Sequence, residues 1–96
     1  VTRRVQLHPH AARDIREAVR AYDHRWPGLG QLVVSEVRRV LERLRLFPNA
    51  YPLIKTGIRH AAIGRLPYHA VYSATDDSIV IFALTRITPE PKTVVT

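Results

Sequence analysis

The spacing of apolar residues changes once along this chain, and the change limits what it can fold into. Between His10 and Trp26, the residues Ala11, Ala12, Ile15, Ala18, Val19, Tyr22 and Trp26 recur every three or four positions. Arg13, Asp14, Arg16, Glu17 and Arg20 occupy the intervening positions. That pattern is one face of an amphipathic helix. Leu29, Leu32, Val33, Val37, Val40, Leu41, Leu44 and Phe47 repeat it. Pro27-Gly28 breaks the two stretches, with Gly30 adding freedom, and the short connection sends the second helix back antiparallel. Beyond Pro48-Asn49 the helical period is gone.

The remaining segments read as strands. Thr2 to His8 alternates Val5 and Leu7 with Arg4, Gln6 and His8, and Pro9 sits where a helix starts. Pro52 keeps the stretch after the second helix irregular. Ile58 to Leu66 is one strand-like run, interrupted at Gly64, and Pro67 belongs to a turn or strand start. In Tyr68 to Ala74, Tyr68, Ala70, Tyr72 and Ala74 share one face, and His69, Val71 and Ser73 the other. Thr75-Asp76-Asp77-Ser78 is turn chemistry. The unbroken apolar run Ile79 to Leu84 fits a strand covered on both faces or lying centrally. Residues 87–96, with Pro89 and Pro91, read as an extended tail. The predicted order is β-α-α-β-β-β, an α+β fold in one domain over residues 1–96. A helical hairpin covers one face of a small antiparallel sheet built from an N-terminal strand and a three-stranded meander, and the other face stays partly open.

Composition enters through what it excludes. The chain has no cysteine, which removes disulfides, thiolate nucleophiles and zinc fingers. No apolar run reaches the roughly 18 residues of a membrane span, and no signal peptide opens the sequence, so a cytoplasmic location is expected. The net charge is +7, and thirteen of the fifteen cations are arginine. Arginine suits bidentate contact with carboxylate or phosphate, so the field favours an anionic partner. Residues 1–50 hold ten arginines against five acids, which places most of the excess in the first half.

Several patterns invite a chemical reading that their context weakens. His8-Pro9-His10 sits at a strand-to-helix corner that splays the two rings, so no metal is expected there, and no cofactor elsewhere. Asp76-Asp77 belongs to a turn. Ser35, Ser73 and Ser78 lie in no nucleophile elbow, and Gly28 and Gly30 do not make a phosphate loop. Tyr22 and Trp26 close the first helix as core or hinge packing, with partner contact as the alternative. Arg38, Arg39, Arg43 and Arg45 form a basic helix face: solvated, docked on an acidic partner, or contacting nucleic acid. Arg59, His60, Arg65, His69 and Arg86 come from predicted strands or their ends. On an uncovered sheet face, such cations hold a phosphate or another target, and His69 has the proton affinity of an acid or base near neutral pH. A plain solvated face remains the alternative.

Ile58-Arg59-His60, then Arg65-Leu66-Pro67-Tyr68-His69-Ala70-Val71-Tyr72, then Asp76-Asp77-Ser78-Ile79-Val80-Ile81-Phe82-Ala83-Leu84, resembles the RelE/ParE superfamily of bacterial toxins. Its pattern there is an Arg-bearing strand, Arg-Phe-Pro-Tyr-x-x-x-Tyr, an acidic turn and an apolar strand. Upstream, Ala12-x-Asp14-Ile15-x-Glu17-Ala18, Pro27-x-Leu29-Gly30, Glu36-Val37 and Pro48 also match, so the resemblance spans residues 3 to about 89. It implies the toxin of a type II toxin–antitoxin pair, with roles in growth inhibition and plasmid stabilization. A flexible, often acidic antitoxin segment would wrap it, with Arg38, Arg39, Arg43, Arg45, Tyr22 and Trp26 as its contacts.

RelE-like members cleave ribosome-bound messenger RNA with basic and acid–base groups on the concave sheet face, whereas ParE-like members inhibit DNA gyrase without a catalytic set. Here His69 falls where nuclease members carry an arginine, and Arg86 falls near a terminal cluster that reads Thr85-Arg86-Ile87-Thr88 instead of His-x-Arg-Arg. The lysines expected around His60 to Ile63 are absent, as is a tail aromatic after Ile87. The resemblance therefore leans to a gyrase inhibitor. A ribosome-dependent ribonuclease using His69 and Arg86, or a catalytically degenerate binding module, stands as the alternative.

Overall fold

The computed structural model describes residues 3–87. The elements are β1 (Arg4–Leu7), α1 (Pro9–Arg25), α2 (Gly30–Leu46), β2 (Leu53–Lys55), β3 (Ile58–Ala62), β4 (Tyr68–Ala74) and β5 (Ser78–Arg86). They form the expected α+β arrangement, with the two helices packed on one sheet. The sheet has five strands in the order β1-β5-β4-β3-β2. It is mixed rather than wholly antiparallel, because β1 pairs parallel with β5 while the other pairs are antiparallel. The helical hairpin intervenes between β1 and the meander, and a crossover of that length permits parallel pairing. The strand β2 replaces the irregular stretch expected after Pro52. Pro52 stands just before it, where its missing donor costs the ladder nothing. Of the predicted tail 87–96, residues 88–96 with Pro89 and Pro91 lie outside the described residues.

Local chemistry sets the helix ends. Pro9 opens α1, and the Nδ1 of His8 accepts the His10 amide at 3.1 Å. This cap holds the His8 ring over that of His10, with parallel planes and centroids 5.0 Å apart; the corner stacks the rings instead of splaying them. At the hairpin, Gly28 takes φ +91, a left-handed conformation that glycine adopts without steric cost. Gly30 has a different role from the one expected. It is buried in the first turn of α2, where an added Cβ would sit 2.7 Å from Val19 Cγ1 and 2.8 Å from the Val19 carbonyl. Its amide donates to Asp23 Oδ1 at 2.7 Å. Glycine here lets the two helices touch.

The core lies between the hairpin and the sheet. Ala11, Ala18 and Tyr22 of α1 and Val33, Val37, Val40 and Leu44 of α2 meet Ala61, Ala70, Tyr72, Ile79, Ile81 and Leu84. On β4 the predicted alternation holds, with Tyr68, Ala70 and Tyr72 buried and His69, Val71 and Ser73 only half-buried. The apolar run of β5 is an interior strand, but its outer residues Val80, Phe82 and Ala83 are half-buried, so one side stays open. A bulge at Phe82 shifts its register against β4 from Tyr72↔Ile81 to Val71↔Ala83. β1 runs out opposite Ile81, and the Leu84 amide beyond it donates to Asp14 Oδ2 at 3.0 Å, which pins α1 to the sheet. Phe47, placed on the apolar stripe by spacing, is 60% exposed. It caps α2 with φ −133 and ψ 65, so the helical period ends before it.

The segment after α2 is held from the sheet. Tyr72 is fully buried, and its hydroxyl donates to the Pro48 carbonyl at 2.7 Å. Arg59 donates to the Tyr51 and Asn49 carbonyls at 2.6 and 3.3 Å, and the Tyr51 and Tyr72 rings meet edge to face at 6.4 Å. Burial pushes the Tyr72 phenol up to about 12, the Arg59 charge opposing the shift and Tyr51 adding to it.

Replacing Tyr72 with Phe leaves the Pro48 carbonyl without this donor, and the expected loss is about 1–3 kcal/mol of unfolding free energy in urea. The folded phenol holds its proton more tightly than the unfolded one. Its contribution is therefore complete below about pH 10 and is lost as pH rises toward about 12. Tyr72→Phe should remove that part of the alkaline decline; an identical pH profile for the two proteins would contradict the assignment. Gly30→Ala should cost about 1–3 kcal/mol by overpacking, read as a lower midpoint in the same experiment.

Candidate functional site

The face of the sheet turned away from the helices is assembled by register. Ala61 pairs with the buried Ala70, so the residues between, His60 opposite Val71 and Ala62 opposite His69, point the other way. Thr85 lies opposite His69, and Val80 opposite Ser73. His60 and His69 are thus diagonal neighbours on adjacent strands, a relation in which long side chains meet. Their rings do meet: the centroids are 4.5 Å apart at 66°, and the two Nδ1 atoms lie 2.8 Å apart. At that distance one nitrogen donates and the other accepts, so the pair shares a single proton between its Nδ1 atoms. Both rings are half-buried. The proton affinity of His69 is lowered, first by burial and then by the neighbouring His60. The Oγ1 of Thr85 reaches the His69 carbonyl at 3.4 Å.

The other predicted members do not join them. Arg59 shares the helix-side register with Tyr72 and is spent on the carbonyls after α2. Arg86 pairs with Tyr68, not with His69. Its guanidinium lies 5.8 Å from the Tyr68 ring centroid and reaches the phenol oxygen at 3.5 Å. His69 and Arg86 therefore belong to opposite faces, which corrects the expectation that they act together. The bulge at Phe82 leaves every later residue of β5 facing oppositely to a simple alternation counted from Ile79. Arg65 is exposed in the turn between β3 and β4. The diagonal meeting of His60 with His69 was not readable from spacing alone, because nine residues and a turn separate them.

The basic face of α2 divides. Arg38 lines a groove of about 210 Å³ with Leu7, Ile15, Val34 and Leu41. Arg39 and Arg43 line another of about 320 Å³ with Glu36, Val40, Tyr51, Ala62 and Gly64. Arg39 stands 4.0 Å from Glu36 and Arg45 stands 3.4 Å from Glu42, both pairs three residues apart on the helix. Among the described residues no ion pair engages Arg38 or Arg43. Arg45 is half-buried, and its carbonyl accepts from Arg3 at 3.1 Å. Tyr22 is a core residue with the Arg25 guanidinium 5.2 Å from its ring centroid, so its ring is not a free contact surface. Trp26 is 70% exposed at the hairpin tip, and the arginines lie roughly 12–22 Å along α2 from its start there. Among the described residues there is no group of three or more His, Cys, Asp or Glu side chains placed to hold a metal, and no helix is long and apolar enough to cross a membrane.

The lowered proton affinity of His69 makes its neutral form the stable one in the fold. Stability should fall as pH drops below the ordinary histidine value of 6.5, where the unfolded chain takes up the proton first. In an NMR titration, His60→Ala should raise the His69 midpoint by removing the neighbouring charge, while burial keeps it below 6.5. An unchanged or lowered midpoint would show that the rings do not interact.

No family model matches the sequence, and no curated protein matches it. Solved structures do. A chain of the chromosomal ParDE toxin–antitoxin system from P. aeruginosa superposes with a TM-score of 0.66 at 16% identity, covering 91% of this chain and 98% of that one. A chain of the RelBE2 toxin–antitoxin complex from Mycobacterium tuberculosis gives 0.61 at 22% identity, covering 90% and 99%. One from the E. coli DinJ-YafQ toxin–antitoxin complex gives 0.60 at 13% identity, covering 90% and 93%. With the hairpin on one face of a mixed sheet and the order β1-α1-α2-β2-β3-β4-β5, the chain shares the fold of these three chains, the α+β arrangement expected from the resemblance.

Proposed function

We propose that this chain is the toxin of a type II toxin–antitoxin pair, that it acts by binding DNA gyrase, and that an acidic antitoxin segment neutralises it. The fold supports the general reading, since the three similar structures come from toxin–antitoxin systems. The observation that carries the choice of a binding toxin is the placement of the arginines. A ribonuclease of this design needs cations beside its acid–base group to offset the charge of a pentacoordinate phosphorus. Arg59 is turned to the loop after α2 and Arg86 to Tyr68, leaving the histidine pair without either. The ribonuclease reading keeps one point in its favour: His60 and His69 sit together on the open face with one shared proton, and a neutral imidazole is a suitable base.

For the antitoxin, the two grooves beside α2 supply apolar floors with arginine at the rim: Arg38 on one side, Arg39 and Arg43 on the other. A segment that folds on binding gains from such alternation of apolar burial and charge. Trp26 serves a partner that extends to the hairpin tip. The net charge of +7 speeds the encounter with an acidic chain.

Purified protein at excess should stop gyrase from supercoiling relaxed DNA, and the antitoxin should restore it; normal supercoiling would reject the gyrase target. In a ribosome-bound message assay, cleavage abolished by His69→Ala would establish the nuclease reading instead. Normal growth on induction without the partner would reject the toxin altogether. Reversing Arg38, Arg39 and Arg43 to Glu should weaken antitoxin binding at least tenfold and make the residual affinity less dependent on salt.

A further inference from the structure

The histidine pair has a second chemical capacity that does not depend on the toxin reading. Two imidazole nitrogens that bind one metal ion in adjacent positions are separated by a distance set by the metal–nitrogen bond. With bonds of about 2.0–2.1 Å, a tetrahedral ion places them about 3.3–3.4 Å apart, and a tetragonal ion with a 90° angle about 2.8–3.0 Å apart. The Nδ1 atoms of His60 and His69 lie 2.8 Å apart, close enough for one ion to reach both once the rings turn their lone pairs from each other toward it. We propose that His60 and His69 form a two-nitrogen chelate for a tetragonal divalent transition-metal ion, copper(II) above all.

The surroundings agree. Both residues are anchored on paired strands, β3 and β4, so their Cα positions are fixed by the ladder. Only the rings must turn, and histidine χ2 is a soft, broad torsion. Without the ion the two Nδ1 atoms share one proton; on binding, the ring that carries it changes tautomer by exchange with solvent, its proton passing from Nδ1 to Nε2, and both Nδ1 lone pairs turn to the ion. The neighbours on this face are Ala62, Val71 and Thr85, small or apolar side chains that leave room for water on the remaining coordination positions. The arginines that would repel a dication, Arg59 and Arg86, are held on the other side by the Tyr51 carbonyl and the Tyr68 ring. With two protein ligands and open water positions, copper(II) leads nickel(II) and zinc(II) in affinity.

The test titrates copper(II) into the metal-stripped protein at pH 7.5, followed by calorimetry and electron paramagnetic resonance. One equivalent should bind with an axial spectrum carrying nitrogen coupling. His60→Gln and His69→Gln should each weaken it by about a hundredfold or more. The variant His8→Asn/His10→Ala removes the stacked histidine pair at the start of α1 and should bind as the parent does. Unchanged affinity in the Gln variants, loss of binding in the His8→Asn/His10→Ala variant, or no stoichiometric binding would overturn the proposal. NMR on the unmutated protein covers misfolding of a variant: substoichiometric copper should broaden the His60 and His69 ring signals before those of His8, His10 and His24, and the reverse order would also overturn it.

Discussion

The contact on which most of the architecture depends is a buried phenol meeting a carbonyl. Tyr72 reaches out of the middle of β4 through the core and donates to Pro48, the residue that ends the helical hairpin. The irregular chain that follows a helix carries carbonyls with no ladder partner, which must find donors or stay in water. Here the donors come from the sheet: Tyr72 for Pro48, Arg59 for Tyr51 and Asn49. These bonds set the path of the chain into β2 and the position of β3 beside β4. They also fix which arginine is unavailable to a target. A residue that stabilises the loop in this way cannot also hold a phosphate on the opposite face, so the packing of the core and the chemistry of the surface are decided together.

Much of this was legible beforehand because periodicity reports directly on burial. The hairpin, the alternation along Tyr68 to Ala74 and the acidic turn at Asp76-Asp77 follow from which residues can leave water. What periodicity does not report is where a main-chain donor ends up. The stacking of His8 on His10 depends on a cap, and the close crossing at Gly30 depends on the absence of one methyl group. Likewise the parallel pairing of β1 with β5 is a choice made across the whole chain.

The candidate site was legible as a set of residue types and illegible as a constellation. Spacing groups His60 and His69 with three arginines because all come from predicted strands or their ends. One extra residue at Phe82 moves Arg86 to the side of Tyr68. A bulge is a single-residue event that flips every later side chain, and nothing in the apolar run Ile79 to Leu84 marks where it falls. The histidine pair, by contrast, arises from ladder register and strand twist, quantities that exist only once the strands are paired.

The last strand has a further consequence, one of timing. β5 is flanked by β1 on one side and β4 on the other, and α1 rests on it. A chain growing from its N-terminus therefore makes β1 first and cannot give it a neighbour until residue 78 and beyond have been added. Until then α1 and α2 have no complete sheet to cover, and the long loop between β1 and its partner stays open at an entropic cost that the helices alone do not offset. The nascent domain thus has no finished fold until β5 has been made, and its surfaces, whatever they bind, become available together at that point.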